Sequence, residues 1–200
     1  ILENEMILPL QPLILMTLTS PEKAARSILT VAWPKQAMWN ALVLIITLNA
    51  IIYTLQEILF PLPAEVVFPR LTPLVYFGVV LSLQVVFIHT LQVSCRWMGG
   101  QGHISELLAV IVWLQFLQLL LQAAMTALFL LAPVLAGFVN LAATLFGMLI
   151  FANFINEVHQ LKSIWRAFGA LMMASIIIAL ALSFLLGLAG PSFLGLSANV

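Results

Sequence analysis

From Leu107 to Asn156 the chain runs for fifty consecutive residues without an Asp, Glu, Lys, Arg or His. As one helix this stretch would reach roughly 75 Å at the α-helical rise per residue. The hydrocarbon core of a bilayer is only ~30 Å thick. The stretch is too long for a single crossing and too apolar for the core of a soluble domain. It has to cross, turn and cross back. The turn is written at Ala132-Pro133. Proline pushes the residue before it out of the α region and cannot continue a helix interior. Gly137 follows close behind. The stretch reads as a tight helical hairpin inside a membrane.

The rest of the chain has the same character. It is 64% hydrophobic and 7% charged, with a mean hydropathy of +1.17. A soluble domain carries about 25% charged residues, so a water-soluble fold is excluded. Net charge is zero and there is no basic run, so nucleic-acid binding has no electrostatic footprint. Cys95 is the single cysteine, which rules out an intrachain disulfide and a cysteine metal cage. At the start, Glu3 and Glu5 precede an apolar segment broken by Pro9 and Pro12. A secretory signal needs positive charge there. Residues 1–19 read as an uncleaved, partly extended arm along the membrane surface.

Ser20-Pro21-Glu22 is a helix start, with a serine cap, proline at the first position and an acid in the first turn. Over 20–34, Lys23, Arg26 and Thr30 share one face and Ala25, Ile28, Leu29 and Ala32 the other. This predicts a short interfacial amphipathic helix, with Trp33 and Trp39 where the chain enters the bilayer. Five spans follow, over 37–56, 72–95, 106–131, 133–157 and 164–188, and a tail over 189–200. The fold class is all-α: a polytopic integral membrane protein with five transmembrane helices over 37–188. The first inter-span loop holds Pro61, Pro63, Pro69, Pro73, Glu65 and Arg70. Gly99-Gly100-Gln101-Gly102 reads as a flexible hinge, Ser105-Glu106 as a helix start, and His159, Lys162 and Arg166 as parts of a short loop. With the N-terminus in the cytoplasm, the inner segments hold Lys23, Arg26, Lys35, Arg96, Lys162 and Arg166, and the outer ones Arg70 alone. That asymmetry sets the N-terminus inside and the C-terminus outside.

Polar side chains inside the spans are the informative residues. Gly78, Ser82, Val85, His89, Gln92 and Arg96 lie on one helical stripe of the second span. Gln115, Gln118 and Gln122 form another in the third, and Asn49, Tyr53 and Gln56 one in the first. The fourth carries Asn140 and Thr144, with Gly147 beyond, and the fifth Ser175, Ala179, Ser183 and Gly187, each four apart. The stripes serve either as interhelical hydrogen-bonding surfaces or as a polar path for a solute or proton. Transport sites usually hold a buried charge, and no Asp, Glu, Lys or Arg lies near the centre of a span. The first use is therefore favoured. The candidate intramembrane polar or partner-contact residues are His89, Gln92, Gln115, Gln118, Gln122, Asn140 and Thr144.

Catalysis finds little support. There is no Asp for aspartyl chemistry. The nearest string to a serine-protease turn, Gly190-Pro191-Ser192, has no histidine on its side of the membrane. The glycine loop lacks the lysine of a phosphate cradle. His103 and His159, as loop residues, could in principle join Glu106 and Glu157 at a metal, and a span histidine could ligate a haem or pigment. One such histidine does not make a bis-histidine haem, and no cofactor is expected.

Three segments resemble the Yip family, the five-span Ypt-interacting membrane proteins, in the form of a compact bacterial member. They are the amphipathic TSPEKAARSIL (Thr19–Leu29), WMGGQGHISELLAVIVWLQF (Trp97–Phe116) and VHQLKSIWRAFGALMMA (Val158–Ala174). The resemblance covers Thr19 to Leu188. It implies five spans, an inside N-terminus and no catalysis. Eukaryotic members are linked to small GTPases and vesicle traffic through a long cytoplasmic N-terminal region. Only residues 1–36 precede the first span here, so GTPase binding is not carried over. The expected function is a scaffold, assembly factor or accessory subunit of a membrane complex. Its partners would be the lipid bilayer and other integral membrane proteins or further copies of itself. The alternatives are a small transporter or channel on the His89 stripe, and a pigment- or haem-associated subunit.

Overall fold

A computed structural model describes residues 10–61 and 71–189. Seven helices are described: α1 (Leu10–Thr19), α2 (Pro21–Leu29), α3 (Lys35–Leu59), α4 (Pro73–Trp97), α5 (Ile104–Leu131), α6 (Pro133–His159) and α7 (Ile164–Ala189). The last five are long and apolar enough to cross a membrane, α7 over Ile164–Leu185. Glu65 and Arg70, and the string Gly190-Pro191-Ser192, lie outside the described residues.

Helix ends follow local chemistry. Pro21 and Pro73 occupy the first turns of α2 and α4, where a missing N–H breaks no bond. Residues 10–19 form a helix, which corrects the expectation of an extended arm there. Pro12 sits in the first turn of α1, where it is tolerated for the same reason. The start of α5 also differs from expectation. The helix begins at Ile104, and Glu106 reaches back to accept from the His103 backbone N–H at 2.8 Å. Ala132 alone joins α5 to α6, closing one helix (N–H to Leu128 carbonyl, 2.8 Å) and opening the next (carbonyl to Ala136 N–H, 2.9 Å).

The five long helices close a ring in which α3 packs on α4, α4 on α7, α7 on α6, α6 on α5 and α5 on α3, with α4 and α5 also meeting. α2 lies on α5 and α6, and α1 lies on α2. Ala24, Ala25 and Ile28 of α2 are buried, so its apolar face is turned to the protein, beside the last turns of α6. The N–H of Trp113 in α5 donates to Thr17 of α1 at 3.1 Å. Most of the buried core sits in this half of the bundle, in Leu107–Val112, Ile88–Cys95, Ile150–Val158 and Ala167–Ala174. The opposite half is open. Of residues 133–149 in α6, only Ala136 is buried and Ala143 half-buried.

Candidate functional site

The polar side chains of the spans divide into three groups: a clasp, a ladder and a set left facing lipid.

The clasp sits where α4, α5, α6 and α7 share an end. Gln92, on α4, donates from Nε2 to the Gly102 carbonyl at 2.7 Å. Its Oε1 lies 3.1 Å from His159 Nε2. With the amide oriented by its bond to Gly102, that oxygen accepts, so the network assigns the imidazole proton to Nε2. The His159 backbone carbonyl accepts from the Gln101 N–H at 3.0 Å, and the Gly100 N–H returns to the Cys95 carbonyl at 2.8 Å. The loop thus wraps His159, which is fully buried. Glycine is required at two places by close approach. A Cβ at Gly100 would lie 2.8 Å from the Cys95 carbonyl oxygen, and one at Gly102 only 2.5 Å from that of Val158. The segment expected as a hinge is therefore a packed strap, and His159, expected in a short loop, is its centre. Beyond it the chain turns on two non-glycine residues with positive φ, Gln160 and Lys162. The Asn156 side chain secures the turn by accepting from the Ser163 N–H at 3.1 Å.

Beside the clasp, Arg26 of α2 forks onto Glu157 with bonds of 2.8 and 3.1 Å. Glu106 is occupied with the α5 cap. The four groups considered for a metal are thus dispersed: His159 on Gln92, Glu157 on Arg26, and His103 with Glu106 at the helix start.

The ladder lies in the opposite half, between α3, α4 and α5. Tyr76 donates to Asn49 Oδ1 at 2.8 Å, and Asn49 donates to Gln122 Oε1 at 2.6 Å. Gln122 reaches Gln56 at 3.4 Å, and Gln56 donates to Thr126 at 2.7 Å. Tyr53 and Tyr76 stack with centroids 3.9 Å apart, and Tyr53 donates to Glu57 at 2.8 Å. One level away, Gln115 donates to Gln84 at 3.0 Å. Two of the three glutamines of the α5 stripe are thus used in helix-to-helix bonds.

The third group faces outward. Gln118 and Asn140 are exposed, and neither amide has a hydrogen-bond partner among the described residues. Thr144 is exposed and satisfies its hydroxyl on the Asn140 carbonyl at 2.8 Å. His89 is exposed, with Nδ1 2.8 Å from the Val85 carbonyl. Gln92, three residues on, is buried, so the His89–Gln92 stripe is divided between lipid and core. On α7, Ser175 and Ala179 border an apolar groove of about 410 Å³ against Val80, Gln84 and Phe87 of α4.

This framework of five apolar helices entered by a short amphipathic one coincides with a known domain: a family model described as the Yip1 domain matches residues 15–186. The chain belongs to the Yip1 domain family. No curated protein and no solved structure matches it. The Yip1 domain match begins within α1 and ends within α7, so it takes in the clasp, the ladder and the outward amides.

Sequence reasoning missed two parts of this arrangement. His159 lies just past the last apolar turn of α6, beside Gln160 and Lys162, and in sequence it has the neighbours of a loop residue. The spacing of Gly100 and Gly102 was the available signal, since two glycines separated by one residue suit a strap pressed on another backbone. The Arg26–Glu157 pair had no signal, because its members are 131 residues apart.

Proposed function

We propose that this Yip1 domain protein is a non-catalytic membrane scaffold, assembly factor or accessory subunit that works by packing against other integral membrane proteins or further copies of itself. The observation that carries the reading is the pair of outward-facing amides without a partner among the described residues, Gln118 and Asn140. Gln118 lies midway along α5, about 20 Å from either end at the helical rise. Hydrocarbon offers no hydrogen bonds, and polar groups there pair with protein or water. The other stripe amides pair inside the bundle, so polar groups in this fold serve helix contact. The stripe that would line a transport path is split at His89, and no specific observation favours transport over packing. The basic residues Lys23, Lys35, Arg96 and Lys162 support an orientation with the α2 end in the cytoplasm. The resemblance to compact bacterial members supports a bacterial inner membrane.

The test is the mass of the particle taken directly from native membranes in a mild detergent or in lipid discs. A particle larger than one 22.0 kDa chain, reduced in the Gln118→Leu, Asn140→Leu double variant, is the expected result. A single chain in every preparation refutes the proposal.

A further inference from the structure

Asn140 belongs to a seam. Pro133, Gly137, Asn140, Thr144 and Gly147 follow one another at steps of 4, 3, 4 and 3, the spacing that keeps residues facing a neighbouring helix in a left-handed pair. Gly137, Asn140, Thr144 and Gly147 are all exposed. A Cβ at Gly137 or Gly147 would meet nothing within 4 Å, so the space over both is open. The Thr144 hydroxyl is already bonded within the helix, which leaves the Asn140 amide as the unsatisfied group. Residues 127–139, which include the hairpin tip, are all apolar or glycine. The amide therefore borders a wholly apolar segment. Toward its other end α6 is covered by α2, so only this outer half is free.

We propose that the occupant of this seam is α6 of a second copy of the chain, docked in parallel about a two-fold axis along the membrane normal that passes Asn140. An amide carries both donors and an acceptor, so it is its own complement. Two copies inserted with the same orientation bring Asn140 to the same depth, and a two-fold axis lets each side chain donate to the other. A different protein would have to present a hydrogen-bonding side chain of its own at that level, whereas a second copy always does. The open space over Gly137 and Gly147 lets the two backbones approach closely on either side of the amide pair. The contact is isologous, so it closes at a dimer. This inference rests on the proposal that the protein packs against partners and names the partner.

The experiment uses the purified full chain in phosphatidylcholine vesicles at two protein-to-lipid ratios. The Thr144→Cys variant is oxidised and scored for covalent dimer. Cys95 is fully buried and stays out of the reaction. Thr144→Cys is expected to cross-link at both ratios. Leu149→Cys, half a helical turn around from Asn140, is expected to stay monomeric. Adding Asn140→Leu to Thr144→Cys weakens association about eightfold, from two interhelical hydrogen bonds of average strength. Gly147→Leu keeps the amide but fills the approach, and it should also suppress the cross-link, which guards against a folding defect in one variant. Equal cross-linking at Leu149→Cys, or dimer unchanged by both Asn140→Leu and Gly147→Leu, overturns the inference. If purified protein stays monomeric while the particle from native membranes exceeds one chain, the second-copy assignment falls and the partner reading stands. If both are single chains, both fall.

Discussion

Single residues at the clasp hold the α4, α5 and α6 ends together. Gln92 is the hinge of the network because it donates to Gly102 and accepts from His159. Gln92→Leu strands the Gly102 carbonyl and the imidazole N–H, both buried, and should destabilise the fold by about 1–3 kcal/mol, read as a lower thermal midpoint in detergent. Gly102→Ala forces a methyl against the Val158 carbonyl, a backbone atom that cannot step aside. Its expected cost is also about 1–3 kcal/mol. Gly78→Ala, with open space around the added methyl, should leave the midpoint nearly unchanged. Arg26 lies outside the spans, and its hydrogen bonds to Glu157, with the carboxylate charge second, raise its pKa above the ordinary guanidinium range. A raised pKa means that Arg26's contribution is in place at every lower pH and is lost only in strong alkali. The guanidinium therefore gives no stability slope near neutral pH. Gln92 was legible in the sequence as a polar residue on a span. Its partner His159 was not, because burial there is produced by a loop from a different helix.

At the scale of elements, two contacts are testable. The α3–α4–α5 ladder joins side chains from three helices, so its bonds should couple. A double-mutant cycle on Asn49→Leu and Gln122→Leu is expected to show non-additivity near 0.6 kcal/mol, the average for an interhelical bond in a membrane. Strict additivity would mean that the 2.6 Å contact contributes nothing. The docking of α2 depends on small residues, since Ala24 and Ala25 are fully buried and allow close approach. Ala25→Leu should lift α2, seen as faster hydrogen exchange over 21–29. Glu157→Gln should change that exchange much less, because the Arg26 side chain is 66% exposed and solvent screens the pair. The stripes in α3 and α5 were readable as periodic amides. Their pairing was not, since periodicity shows that a face is polar and leaves open which helix it meets. The small residues of α7 show the same limit: their four-residue spacing marks a face, while the structure shows that Ser175 and Ala179 border a groove against α4.

For the whole molecule, five crossings put α2, the 99–103 loop and the 160–163 turn on one side, and the end of α3, the start of α4 and the α5–α6 tip on the other. A membrane-impermeant maleimide should label Lys35→Cys and Gln101→Cys from the same side and Pro61→Cys from the opposite one. If the basic residues set orientation, the first two react from the cytoplasmic face. Cys95 should stay silent until the protein is denatured. Labelling of Gln101→Cys and Pro61→Cys from one side would disprove the five-span topology.

The sequence by itself determined the class and the crossings. A fifty-residue uncharged stretch admits few outcomes in water or lipid, and proline, capping residues and charge mark where each helix begins and ends. Those are local constraints, imposed by backbone sterics and by the thickness of hydrocarbon. The tertiary structure alone decided which polar residues are satisfied. Gln115 and Gln122 found partners on other helices, Gln118 on the same stripe has none among the described residues, and His159 was enclosed by residues more than fifty positions away in the chain. Hydrogen-bond satisfaction between helices depends on their rotation and order around the ring, and no local pattern encodes either one.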